Sequence, residues 1–388
     1  MRKERFSGKQ MLLAALAGAG TAVLVLAVGL MLILGPYVLT LAEGWGLIQS
    51  QFVGEYDPEQ VIDSALAGMV SGTGDRWSYY LNAEGYAAQR QRRDNSYVGI
   101  GVTVELAEDR GLRVLEVHEN SPAEKGGLKP GELLTAVDAV SLAGLSLEEA
   151  TALIQGEDGT ALTLTVQDPE GGQRSVELRR EAMENVSVRY DLLPDEVGYI
   201  QVKNFYSHSA DQLKAAVEDL TGQGARALIF DMRNNGGGYV DQLTDMLDYL
   251  LPEGPIFRSE TKGGWESVTQ SDEGCVDLPM VTLVNADTYS AAEIFAAQLQ
   301  ESVGAPIVGE PTSGKGYSQQ AIPLPNGGAL NLSTARYRTG GGVSLIGTGV
   351  SLDKQVSLGE KESNLLAAGA LAYEEDAQLQ AAMDFLTP

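Results

Sequence analysis

Histidine and cysteine are nearly absent. The 388 residues include two histidines, His118 and His208, and one cysteine, Cys275. Zinc centres built on several histidines are therefore excluded, and a Ser-His-Asp triad would have to draw on one of those two rings. His118 lies where a strand runs into a turn (LRVLEVHENSP), and His208 precedes a helix, so both read as surface or capping residues. One cysteine cannot form an intramolecular disulfide. Cys275, in the acidic turn SDEGCVDLP, has no neighbouring histidine to activate a thiol and reads as incidental. Positive charge is also scarce, with 27 Lys and Arg against 53 Asp and Glu and a formal charge of −26. The body of the chain shows no basic run, so nucleic acid is not expected as a partner. No metal or cofactor is expected either.

One long stretch lacks charge of either sign. Arg2, Lys3, Arg5 and Lys9 precede Met11–Gly35, and the next charged residue is Glu43. About 20 apolar residues span a bilayer. The run exceeds the roughly 7–15-residue core of a cleaved signal peptide, and no clear small-x-small site follows it. The expectation is a cytoplasmic basic tail (1–10) and a transmembrane signal anchor (11–35). The rest would lie outside the cytoplasm, on a single-pass protein of the cell membrane. ATP is scarce there, which weighs against a nucleotide-dependent enzyme.

Residues 41–95 read as a helical N-terminal segment, with apolar spacing through LIQSQFV and VIDSALAGMV. Trp77, Tyr79 and Tyr80 follow a helix break and read as packing. Residues 96–182 change texture to short alternating runs around one helix, SLEEATALIQ. This module resembles a PDZ domain. Tyr97-Val98-Gly99-Ile100-Gly101-Val102 matches the loop and strand that receive a peptide in such domains, and SPAEKGGLKPGELLTAVD matches the run that follows, with Glu132 for the usual Asp. The physics is strand addition at an open sheet edge. From 183 to 388 strands alternate with helices: GYIQVKNF, ARALIFDMR, PMVTLVNA and APIVGE between helical runs, then a hairpin turning at PNGG and a final helix, DAQLQAAMDFL. The fold class is α/β (α+β) and multidomain.

Three places could carry chemistry. Ser290-Ala-Ala-Glu293 spells a capping box, but a serine between strand and helix can also face a cleft beside the Ala291 N–H. Asn234–Gly238 (NNGGG) is either a tight turn or a backbone that approaches a ligand at the sheet's carboxyl edge. GEPTSGKGYSQQ nearly spells a phosphate loop. Yet Gly316 stands where a hydroxyl belongs, and Pro323 and Pro325 oppose the helix such a loop needs. Lys315, with no carboxylate closer in sequence than Glu310, suits a neutral amine acting as a base. Gln319, four residues on, falls on the same face and could orient it.

Together these motifs resemble the carboxyl-terminal processing (tail-specific) proteases. The family's serine run reads Thr288-Tyr-Ser-Ala-Ala-Glu-Ile294 here. Its lysine run reads Thr312-Ser-Gly-Lys-Gly-Tyr-Ser-Gln319, and its "D-L-R-x-N-x-G-G" reads Asp231–Gly238. The resemblance implies a crotonase-like layered protease core with a Ser290-Lys315-Gln319 centre. It implies an oxyanion hole from Ala291 with Gly238 or Gly237, and protein or peptide substrates captured in the PDZ groove. Tyr289 replaces a small residue, and Tyr337-Arg-Thr-Gly-Gly-Gly342 loses a proline of the family pattern. A homo-oligomer or a regulatory partner stays open. The rival readings are a non-catalytic PDZ scaffold, a histidine-dependent trypsin-like protease with a PDZ domain, and an acyl-CoA enzyme.

Overall fold

The structure is a computed structural model that describes residues 35–107, 110–118 and 120–386. The expected anchor, 11–35, lies outside the described residues except for Gly35. Among the described residues no helix is long and apolar enough to cross a membrane. The chain divides into two units, residues 1–65 and 66–388. In the first, Trp45 of the helix Pro36–Gln51 and Phe52 just after it both meet the Tyr56 ring edge-on.

In the second unit the region read as helical also contains a strand, β1 (Tyr79–Leu81). The helix Ala83–Arg93 follows, capped by Asn82, whose Oδ1 accepts from the Gly85 N–H at 2.8 Å. Then come β2 (Ser96–Gly99), β3 (Val102–Leu106), β4 (Leu112–Val117), β5 (Leu133–Val137), β6 (Val140–Ser141), β7 (Ala161–Gln167) and β8 (Gln173–Arg179). The sheet order is β3-β4-β5-β7-β8, with β6 on β5. In β7, Leu162, Leu164 and Val166 point into the core while the threonines between them do not, as a period of two requires. β9 (Glu181–Glu184) returns antiparallel to β2, so the module enters and leaves through a two-stranded ribbon.

The remaining strands are β10 (Val188–Leu193), β11 (Val197–Val202), β12 (Ala227–Asp231), β13 (Gly254–Thr261), β14 (Glu266–Ser271), β15 (Met280–Val284), β16 (Ile307–Gly309), β17 (Tyr317–Pro323), β18 (Ala329–Thr339) and β19 (Lys354–Gln355). The central sheet runs β10-β11-β12-β15-β16-β19, parallel except for β10. β12 (ALIFD) and β15 (MVTLV) are wholly buried, which is why they read as unbroken apolar runs. Alternate residues face different layers. Leu228 and Phe230 join the helices Ser209–Gly222, Val240–Leu250 and Ala291–Val303, whereas Ile229, Val281 and Leu283 meet the C-terminal helix Ala377–Leu386. A second sheet, β1-β18-β13-β14 with β17 on β18, stands beside it. The β13–β14 hairpin has no counterpart among the sequence-based expectations, because its half-exposed strands lack a clear apolar period.

Candidate active site

The parallel strands deliver three loops to one cleft. The first, after β12, is Asn234–Gly238. The second, after β15, ends at Ser290. They are laced together: the Asn234 N–H donates to Asn285 Oδ1 at 2.9 Å, Asn285 Nδ2 to Asn234 Oδ1 at 2.8 Å, and the Tyr289 N–H to the Asn235 carbonyl at 3.1 Å. Gly237 has φ +81°, and a Cβ there would lie 2.8 Å from both the Ala291 nitrogen and Ser290 Cβ. A side chain would push the two loops apart, so glycine is required. The Gly237 N–H is taken by Asn235 Oδ1 at 2.8 Å. No acceptor engages the Gly238 or Ala291 N–H among the described residues.

Ser290 adopts φ 64° and ψ −124°, a region costly for a side-chain-bearing residue. Its side chain makes no cap hydrogen bond to the helix it precedes. Glu293 supplies the reaching-back half of the box, with Oε2 accepting the Ser290 N–H at 3.0 Å. Glu293 does more than cap. Its fully buried carboxyl also accepts from Thr312 Oγ1 at 2.6 Å, the Gly314 N–H at 2.7 Å and the Lys315 N–H at 3.0 Å. One carboxylate therefore staples the serine loop to the lysine loop. Burial pushes its pKa up, and the four donors oppose that shift.

Lys315 lies in the third loop. β17 begins at Tyr317, so a strand follows Gly-Lys-Gly, as the prolines required. The fold revises one sequence argument. Remoteness of carboxylates along the chain does not hold in space, because Glu293 and Asp75 both act on Lys315 and raise its pKa. Burial, helped by the charge of Arg93, outweighs them and brings the amine down to about 8. Its Nζ sits 4.7 Å from the Trp77 ring centre and 5.7 Å from that of Tyr289.

Ser290, Lys315, Gln319, Gly237, Gly238 and Ala291 all line this cleft, which has a volume of about 900 Å³. No hydrogen bond joins the Ser290 hydroxyl to the Lys315 amine among the described residues. The Ser290 side chain instead meets the Tyr337 hydroxyl, which donates to the Lys315 carbonyl at 2.7 Å. Burial holds the Tyr337 phenol well above its ordinary range. Gln319 Nε2 donates to the Tyr317 carbonyl (2.8 Å) and Ser333 Oγ (3.0 Å), not to Lys315. His118 contacts Thr103 and His208 stands near Glu184; neither lines the cleft.

In the β-rich module, Tyr97, Val98 and Gly99 pair with β9, and the Ile100 and Gly101 carbonyls accept from Ala123 and His118. Val102 begins β3, the outer strand of its sheet.

Five cleft residues carry more than the sequence assigned them. Trp77, read as packing, faces the lysine amine. Tyr337 meets the serine, and Arg90, Arg92 and Arg93 form a short basic run, a correction to the expectation of none. The Asp-x-Trp-Ser phrase is a sequence signal for the first. Only the pairing of Tyr79 with Asn331 brings it to the site.

Comparison with known proteins decides the family. The profile of peptidase family S41 matches residues 196–356, and that of the PDZ domain residues 113–168. The carboxyl-terminal-processing protease of Synechocystis sp. is 30% identical over 354 residues, covering 89% of this chain and 82% of that protein. The chain belongs to the S41 carboxyl-terminal processing serine proteases. Carboxy-terminal processing protease CtpA of Bacillus subtilis is 33% identical over 297 residues, 76% of this chain. The match spans 64% of that relative's length. A solved structure from Bacteroides fragilis shares the fold, with a TM-score of 0.51 at 18% identity, over 87% of this chain and 92% of that one. Among S41 proteases, then, this chain pairs a PDZ module with a central sheet whose loops meet at Ser290.

Proposed function

We propose that the protein is an extracytoplasmic endopeptidase in which Ser290 is the nucleophile and Lys315 the general base. The observation that carries this reading is a buried amine with its pKa lowered to about 8, in the same cleft as a serine held at the mouth of a helix. Lys315 takes the Oγ proton as Oγ attacks the scissile carbonyl. The oxyanion is held by the Ala291 and Gly238 N–H groups, since that of Gly237 is already engaged. The C–N bond breaks as the Lys315 ammonium returns a proton to the leaving amine, leaving an acyl-enzyme on Ser290. Water, deprotonated by Lys315, then hydrolyses the ester. Gln319 orients the amine once it turns toward the serine.

In this reading the absence of a Ser290–Lys315 hydrogen bond among the described residues marks a resting form. The amine rests on the Trp77 and Tyr289 rings and the serine on Tyr337, and Lys315 must turn toward Ser290 to reach the working form. The PDZ module captures an extended or C-terminal segment on the free edge of β3 and feeds it to the core. Residues 11–35 anchor the chain in the membrane. Purified ectodomain incubated with a flexible protein tests the chemistry. Ser290→Ala and Lys315→Ala are each expected to abolish cleavage, and wild-type rates in either would refute the mechanism.

A further inference from the structure

The chain is strongly acidic, yet its cleft is not. The charged side chains lining it are Arg76, Arg90, Arg92, Arg93 and Lys315 against a single carboxylate, Asp94. Arg76 comes from the loop before β1. The other three arginines sit in the last turn of the helix Ala83–Arg93, where cations also suit the helix dipole. Stability alone does not explain the set. Elsewhere Arg113, Arg174, Arg226 and Arg338 are ion-paired to glutamates, but none of the four cleft arginines has an ion pair among the described residues. Three of them lie over aromatic rings instead: Arg76 over Trp77 at 4.4 Å, Arg93 over Tyr239 at 5.5 Å and Arg90 over Tyr86 at 6.0 Å. A guanidinium held over an aromatic ring is placed without an ionic partner, which leaves its N–H groups able to donate to a ligand. Arg76 and Lys315 share the Trp77 ring, so this donor field reaches the amine itself.

We propose that these arginines form a carboxylate-recognition subsite, and that the preferred substrate segments carry acidic side chains close to the scissile bond. The inference rests on the protease reading and adds the substrate class to it. Planar guanidinium donors match a carboxylate two bonds at a time. Set in a body of charge −26 that repels anionic peptide at long range, a locally positive cleft makes this a face where such a segment is attracted.

The test uses the full chain in detergent and four versions of one flexible peptide. These carry two Glu or two Gln beside the cleavage site, each with a free or an amidated C terminus. Each Glu peptide is expected to show a KM roughly tenfold below that of the Gln peptide with the same C terminus, the size of one charge-assisted hydrogen bond. The preference should shrink as ionic strength rises. Arg90→Gln with Arg92→Gln should bring the ratio of the two KM values toward one. The ratio is internal to each preparation, so partial misfolding does not imitate the result. The Glu-to-Gln and acid-to-amide arms tell side-chain from terminal carboxylates. Fluorescence anisotropy of the same peptides on Ser290→Ala chain measures recognition without turnover. Equal KM and equal affinity for Glu and Gln peptides with the same C terminus would overturn the proposal while leaving the protease intact. Tighter binding of acidic peptides with no cleavage by wild type would sink the protease reading and leave the subsite standing.

Discussion

At the scale of single residues, the site depends on which of two opposing effects on Lys315 prevails. Two carboxylates favour its charged form, while burial and Arg93 favour the neutral one, and burial is the largest influence. In the proposed mechanism Lys315 is the general base, and a general base must be neutral to accept a proton. Below about pH 8 the amine is protonated and idle; above it, the amine is free. The rate of acylation is therefore expected to rise with pH through about 8 and then level off, as single-turnover measurements with an ester substrate would record. Glu293→Gln provides the sharper check. It removes a negative neighbour, so the lysine pKa falls and the rising limb moves to lower pH. It also turns amide hydrogens toward some of the four donors that Glu293 now satisfies, so the plateau rate should drop by roughly ten- to a hundredfold. A lower plateau with an unmoved limb would mean that Glu293 acts by shape alone.

At the scale of elements, the loops stay in place because the strand ends behind them are locked. Arg233, directly after β12, is buried. It donates to Asp231 at 2.6–3.0 Å, to Asp376 at 2.7 and 3.0 Å and to Gln378 at 3.0 Å. Asp376 and Gln378 open the C-terminal helix, and Tyr199 also donates to Asp231 at 2.6 Å. One guanidinium thus ties the last helix to the strand that presents Asn234–Gly238. Arg233→Met would leave two buried carboxylates without their cation, and is expected to destabilise the fold by about 3–5 kcal/mol in chemical denaturation. The strands and helices of this core were largely legible in sequence, since buried parallel strands and amphipathic helices have distinct periods. The β13–β14 hairpin was not, because its pairing with β18 comes from distant sequence rather than from its own pattern.

At the scale of the molecule, the β-rich module joins the core through the β2–β9 ribbon. At its base sits Asn95, buried, at φ 54°, and donating through Nδ2 to Ser187 Oγ (2.9 Å), the Ser207 carbonyl (2.9 Å) and the Asn185 carbonyl (3.3 Å). The same helix that carries the cleft arginines runs straight into this junction, so a displaced module would also displace Arg93. Asn95→Ala is expected to cost about 1–3 kcal/mol and to open the ribbon to limited proteolysis before the core unfolds. Digestion that begins in the core instead would show that the junction is not the weak point.

Short-range rules acting on the sequence alone determined the alternation of elements, the β-rich insert, and the strand after Lys315 that excluded a phosphate loop. Apolar periodicity, proline and glycine operate over a few residues, so a linear reading can follow them. What only the tertiary structure decided is the electrostatic setting of Lys315. A carboxylate 22 positions upstream, a tryptophan from before β1 and an arginine from the end of the helix Ala83–Arg93 converge on one amine. Charge and burial act through space, and sheet pairing, not chain order, sets those distances.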